Sequence, residues 1–303
     1  MKQGKLFDFD ENHRRDNQNV GQARLPSLPT TTVHQARLQI YQPTRKPKNL
    51  IRKIDTPWGT GIVDGKTGMA HADLMEGIFK HAEKYQIIKN SASIESDPIE
   101  TMEILVDPYK LRTTSRNGSR LSGAQVEALC DDLVKVMLDI KGTAQFRPIK
   151  GHMIDLIVSS RFQAVSRPGT IQGKKPRYMW YVKVGAPFVR FIKEDLHLHY
   201  DPQPIAELNT GIAQAVARHL ATHTHEPNGG WHIDKLILAV GAGKTSKAMW
   251  ERRNEILEDH EGLQAIGFII EERRIKRKRQ DRLPGVDARM SLPLLPTPLA
   301  ENS

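Results

Sequence analysis

The segment Gly241-Ala242-Gly243 divides two apolar helical patterns, and no other feature constrains the fold of this chain as much. Before it, Trp231 to Val240 (WHIDKLILAV) reads as a compact helix, set off from what precedes by the breaker Glu226-Pro227-Asn228-Gly229-Gly230. After it, Lys244 to Leu263 reads as a longer helix with Met249, Ile256, Leu257 and Leu263 facing inward. A short helix, a glycine-containing turn of about three or four residues and a second helix make a helix-turn-helix signature. An earlier helix starts at Asp201-Pro202, with Ile205, Leu208, Ile212, Val216, His219 and Leu220 on its apolar face. Past the long helix, Gly267-Phe268-Ile269-Ile270 begins a strand that runs into the basic stretch Arg273 to Arg279.

A similar order occurs upstream. Met69 to Ala82 places apolar positions 74, 75, 78, 79 and 82 on one helical face. Met102 to Val106 is a strand candidate, and Asp107 to Leu111 a short helix, followed by a loop containing Arg116 to Arg120. Ser122 and Gln125 have capping-box spacing ahead of a helical stripe of Val126, Leu129, Cys130, Leu133, Met137 and Ile140. Met153 to Val165 and Arg177 to Val184 are rich in β-branched and aromatic residues, and read as a long hairpin across the basic Pro/Gly loop 166–176. The expected architecture is therefore α+β: two tandem winged-helix (helix-turn-helix) domains, 51–195 and 196–282. Residues 1–50, polar and rich in Pro, Arg and Lys, are expected to be a disordered basic arm, and the proline-rich 283–303 a disordered tail.

Charge narrows the partner. In 303 residues, 45 Lys and Arg face 35 Asp and Glu, a formal charge of +10, with a pI near 9.6. Such a surplus favours polyanions, nucleic acid first and an anionic membrane surface second. The single cysteine, Cys130, excludes a disulfide framework and a cysteine zinc cluster, and its place in an apolar stripe marks it as a buried small hydrophobe. No apolar run reaches the roughly 18 residues of a membrane span, and the polar first fifteen residues are no secretory signal. The expected compartment is the cytoplasm.

The helix after Gly243 is the candidate reader of DNA. Its first turns hold Lys244, Thr245, Ser246, Lys247, Trp250, Arg252 and Arg253, and its last turns Glu255, Glu258, Asp259 and Glu261. In a helix-turn-helix the N-terminal part of the second helix meets the base edges, where cations and free backbone N–H groups suit groove and phosphate acceptors. Arg273, Arg274, Lys276 and Arg277 fit a wing strand against phosphates, and Arg167, Lys174 and Lys175 would do the same upstream; such contacts give affinity rather than sequence readout. Other chemistry fails on spacing. Gly243-Lys244-Thr245 lacks the P-loop glycine five residues earlier, where Leu238 stands. His197-Leu198-His199 has the form of the metal motif of rolling-circle nicking enzymes, but Tyr200 is the last tyrosine and no nucleophile follows. His219 and His223 have i,i+4 spacing without a third ligand motif. Neither a catalytic site, a cofactor nor a metal is expected.

In the N-terminal arm, Gln3-Gly4-Lys5-Leu6-Phe7 resembles the sliding-clamp-binding peptide of bacterial replication proteins, departing from it at Gly4 and Lys5. Gln3 would bond a pocket rim while Leu6 and Phe7 fill an apolar cleft.

Together these residues resemble the TrfA-type plasmid replication initiators. Pro204 to His223 is similar to the first helix of that family's second winged domain, Lys244 to Arg253 to its recognition helix, and Gly262 to Ile270 to the passage that follows; the first unit shares only the order of elements. The resemblance implies binding to direct repeats of double-stranded DNA in a plasmid origin, dimerisation through the first unit, melting of an AT-rich region, and recruitment of the sliding clamp, host initiator and helicase. It assigns DNA contact to Lys244, Thr245, Ser246, Lys247 and Arg253, and clamp contact to Gln3, Leu6 and Phe7. A winged-helix transcriptional repressor is the alternative, and a metal-dependent nicking enzyme the second alternative.

Overall fold

A computed structural model describes residues 27–90, 99–112, 120–141, 148–160, 179–243 and 245–278. The architecture is α+β, with four small sheets among the described residues. The chain enters through β1 (Thr31–Thr32) and α1 (Val33–Arg37), whose N-cap Thr32 accepts a hydrogen bond from the Gln35 amide. β1 pairs antiparallel with β10 (His197–Leu198). Residues 27–50, expected to belong to a disordered arm, are thus part of the fold, and 1–26 lie outside the described residues. Leu28, Leu38, Ile40 and Tyr41 are in the core, and Asp195 accepts bonds from the His34 amide at 2.6 Å and faces its Nδ1 at 2.7 Å. These apolar residues follow no helical or strand period because each fills a gap between elements distant in sequence.

In the first half, β2 (Asn49–Thr56) and β3 (Gly59–Lys66) form a hairpin, and β3 pairs with β6 (Met137–Lys141), which pairs with β7 (Ile149–His152). A second sheet has the order β4-β5-β9-β8, from Ala82–Asn90, Ile99–Val106, Met179–Val184 and Ile154–Ser160. α2 (Met69–Lys80), α3 (Gly123–Lys135) and α4 (Ala186–Glu194) accompany these sheets. The capping box at Ser122 forms as expected, with Oγ accepting from the Gln125 amide at 3.2 Å and Gln125 Oε1 from the Ser122 amide at 2.8 Å. Sequence spacing carried the α3 stripe on to Met137 and Ile140, but the helix ends at Lys135 and both residues lie on β6. Leu138 and Ile140 are buried alternately there because β3 supplies a ladder. Asp107 to Leu111 stays a turn, since the Asp107 carboxylate accepts from the Tyr109 amide at 2.9 Å and competes with helix bonds. The expected pair β8–β9 is antiparallel, but β9 also pairs with β5, so it is an inner strand of a sheet rather than part of a free hairpin.

The second half begins with α5 (Gln203–Ala206) and α6 (Gly211–Ala221). Then come β11 (Trp231–His232), α7 (Ile233–Ala239), α8 (Ser246–Glu258), α9 (His260–Ala265), β12 (Phe268–Glu271) and β13 (Arg274–Arg277). β13 lies between β11 and β12, antiparallel to both. Two helices expected to be continuous are each split, and one buried carboxylate bridges both breaks. Asp259, which follows the end of α8, accepts from the amides of Asn209 (2.8 Å) and Thr210 (2.6 Å) and from Thr210 Oγ1 (2.7 Å), and so holds Thr210, whose Oγ1 caps α6 by accepting from the Ala213 amide at 3.3 Å.

The expected boundary at 195/196 does not separate the packing. Arg218 of α6 donates through Nε to Glu76 Oε1 at 2.8 Å and through Nη2 to Glu76 Oε2 at 2.9 Å; Nη2 also bonds Asp73, both carboxylates being on α2. Tyr200 donates to Glu76 at 2.7 Å. One apolar cluster runs through both halves.

Candidate nucleic-acid interface

α7 and α8 are set by the turn between them. Gly241 and Gly243 have φ of 79° and 77°, a left-handed region that favours glycine. A Cβ on Gly243 would lie 2.8 Å from both Ile237 Cγ2 and Met249 Cε, so the missing side chain lets the helices close on each other. Thr245 caps α8, its Oγ1 accepting from the Ala248 amide at 3.2 Å. Arg253 reaches back to α7 with a forked pair on Asp234, Nε to Oδ1 at 2.5 Å and Nη2 to Oδ2 at 2.7 Å. That pair holds the Asp234 carboxyl below its usual range and raises the Arg253 guanidinium.

Met249 and Ile256 turn towards the core. The opposite face of α8 carries Lys247, Trp250, Glu251, Asn254 and Glu258, at the i, i+3, i+4, i+7 spacing of one helical side. Its N-terminal end is open: Thr245 and Ser246 are exposed, the Lys247 side chain is 86% exposed and Trp250 61%. Leu257, expected inward, is 44% exposed at the edge of that face. Lys247 lies 4.0 Å from Glu251, a loose surface pair.

Several expected contacts are engaged elsewhere. Arg253 braces α8 against α7, and Arg252 is paired with Glu255 one turn on, at 2.6 and 2.8 Å. β12 and β13 form a hairpin whose turn, Glu272 and Arg273, follows Glu271 paired opposite Arg274. Arg273 and Arg274 are exposed there, Arg274 donating to the Gly230 carbonyl at 3.2 Å. Lys276 is paired with Glu271. Arg277 stacks over Trp231 at 5.4 Å and donates to the His223 and Thr224 carbonyls, and its burial lowers the guanidinium pKa. The structure therefore brings Ser246 and Lys247 together on α8, and Arg273 and Arg274 at the hairpin turn. Lys244, Arg167, Lys174 and Lys175 lie outside the described residues, as do Gln3, Leu6 and Phe7. Sequence reasoning gave Trp250 no contact and passed over Asn254; the signal available was their i+3 and i+7 spacing from Lys247.

A row of rings crosses between the halves. Arg37 lies 5.1 Å from Trp58, Trp58 5.6 Å from His219, His219 5.0 Å from His223 and His223 5.9 Å from Trp231. Burial, with the facing histidine and Arg37, lowers His219 to about 3; burial, with Arg37 and Arg277, lowers His223 to about 4. His197 Nε2 sits 2.5 Å from the Ile192 carbonyl, within the short ladder to β1. No group of three or more His, Cys, Asp or Glu suited to a metal occurs among the described residues. Cys130 is buried, and that burial with nearby Asp131 and Glu127 pushes its thiol up to about 12. No helix among the described residues is long and apolar enough to cross a membrane.

No family model matches the sequence, and a search of curated proteins finds no relative. Among solved structures the chain is similar to a crystal structure of domains 2 and 3 of RctB, at 10% identity and a TM-score of 0.44, over 82% of this chain and 99% of that one. A likeness of that depth is too slight to carry function across.

Proposed function

We propose that β11, α7, α8, β12 and β13 form a winged helix-turn-helix that binds double-stranded DNA, with the start of α8 in the major groove and the β12–β13 turn against a phosphate backbone. The observation that carries this reading is the face of α8 that bears exposed Ser246, Lys247, Trp250 and Glu251 and half-buried Asn254, held at a fixed angle by the Gly243 contact and the Arg253–Asp234 fork. Arg273 and Arg274 on the adjoining hairpin supply cations for phosphates. In this reading Arg253 positions the helix and does not touch DNA. The first half is a second winged unit around α2, α3 and the β8–β9 pair, and mediates dimerisation. The protein is a plasmid replication initiator of the bacterial cytoplasm, a binder rather than an enzyme, recruiting host factors through the arm that carries Gln3, Leu6 and Phe7. The resemblance of the Pro204–His223 and Lys244–Arg253 segments, together with the clamp-like peptide, supports the initiator role over other DNA binders.

The test is a footprint of the full-length protein on DNA flanking its own gene. Protection of an array of direct repeats is expected, and Lys247→Ala should weaken it by about 1–3 kcal/mol if the lysine meets a base, or lower the salt slope by about 1 if it meets a phosphate. A single protected palindrome would replace the initiator with a repressor, and cutting of supercoiled DNA with Mg²⁺ or Mn²⁺ would replace both with a nicking enzyme. No protection anywhere would end the DNA-binding reading.

A further inference from the structure

Trp250 is placed where folding gains little from it. Trp180 and Trp231 are only 6% and 8% exposed, whereas Trp250 is 61% exposed in mid-helix, on the side of α8 opposite Met249 and Ile256. One turn on, the Asn254 side chain makes no hydrogen bond with any described residue, and asparagine is a weak helix former at interior positions. Neither side chain is charged, so neither supplies the counterion-releasing contact that a lysine or arginine makes with a phosphate. Glu251 lies between them on the same face and would repel phosphates that approached closely. A face made of an aromatic ring, a free amide and a carboxylate, flanked by Lys247 and by Arg273 and Arg274 on the neighbouring hairpin, is chemically suited to base edges with cations at its rim.

Resting on the DNA-binding reading above, we infer that this face reads A·T pairs in the major groove. Trp250 packs its ring on the 5-methyl group of a thymine, and Asn254 makes a two-bond pair with N6 and N7 of an adenine. The major-groove edge of each base pair is distinct: thymine alone carries a methyl group, and adenine alone pairs an N7 acceptor with an N6 donor as an amide requires. Residues four apart on a helix have Cβ atoms about 5–6 Å apart, so the two contacts fall within two base pairs of each other. A G·C pair at the first position sets an amino group against the ring, and at the second offers two acceptors to an amide that carries one donor group.

The test uses full-length protein and selection from a random-sequence duplex library, so no origin sequence is assumed. In the enriched site, each thymine is then replaced by deoxyuridine, which removes only the methyl group. At one position the replacement should weaken wild-type binding about fourfold, the worth of one buried methyl, and leave Trp250→Ala unaffected. Asn254→Ala should lose about tenfold in preference for adenine over guanine within two base pairs of that position. Trp250 is exposed and Asn254 half-buried, and circular dichroism checks that the variants fold. An enriched site with no deoxyuridine-sensitive position, or equal sensitivity in Trp250→Ala, overturns the inference while leaving DNA binding intact. Trp250→Ala and Asn254→Ala that select the wild-type site unchanged also overturn it and turn the face over to a protein partner. A library with no enriched duplex removes the DNA-binding reading and the inference together.

Discussion

His219 and His223 have Nε2 atoms 3.2 Å apart, between two tryptophans and two arginines, with His219 buried and His223 half-buried. Burial and the positive neighbours disfavour the imidazolium, so the folded values are about 3 for His219 and about 4 for His223, against about 6.5 in an unfolded chain. Between those limits the unfolded state binds more protons than the folded one, so stability rises with pH. The contribution is complete above about pH 6.5 and is lost progressively as pH falls towards the folded values. At pH 4.5 the loss is on the order of 2–3 kcal/mol for His219. Urea midpoints measured from pH 7 to pH 4.5 should fall steeply for the wild type and less steeply for His219→Gln/His223→Gln. Equal slopes would mean that the pair is not held neutral. The spacing of the two histidines was readable from sequence, but their neutrality was not, since Trp58 and Arg37 arrive from segments more than 150 residues away.

At the element scale, the angle between α7 and α8 depends on Gly243. Alanine there would keep a positive φ at a cost of about 1 kcal/mol and place a methyl group 2.8 Å from Ile237 and Met249. Met249 Cε ends a flexible side chain and can swing aside, but Ile237 is fully buried and stiff at Cβ, so relief there moves α8 against α7. Gly243→Ala should therefore lower Tm by a few degrees and reduce duplex affinity by more than its stability loss explains, measured where the variant is still folded. Gly123→Ala, whose added Cβ meets nothing within 4 Å at the start of α3, should not lower Tm and should leave affinity unchanged, and serves as the control. Elements fixed by local signals were legible: the Ser122 capping box, the α2 face, and the glycine turn between α7 and α8. β3 was not, because Gly59, Gly61 and Gly65 interrupt its alternation. Gly61 is required by tertiary contact, where a Cβ would lie 2.5 Å from the Asp139 carbonyl of β6. The same limit applies to the site. The charge of Lys247 was visible, whereas the diversion of Arg253 to Asp234, nineteen residues earlier, is set by how the two helices cross.

Across the whole molecule, the two units expected from sequence share what holds them together. The segment before β2 threads between them: Gln39 donates to the Ala239 carbonyl at the end of α7 (2.9 Å), Arg37 to Thr222 Oγ1 after α6 (2.8 Å), and Arg45 to the Asn209 carbonyl before α6 (3.2 Å). Beneath it, Arg218 bonds Asp73 and Glu76 out of water's reach. Removing the guanidinium strands two buried carboxylates, so Arg218→Ala should cost about 3–5 kcal/mol. The loss should spread to both halves, because α2 and α6 are anchored by the same ion network. Trp180 reports on the first half, Trp231 and Trp250 on the second, and Trp58, against His219, on their junction. If the halves are one cooperative unit, single-tryptophan variants should give coincident urea transitions in fluorescence and circular dichroism, and Arg218→Ala should shift them all together. Transitions that separate, with Arg218→Ala moving only one of them, would restore two independent domains and make the shared core a docking contact.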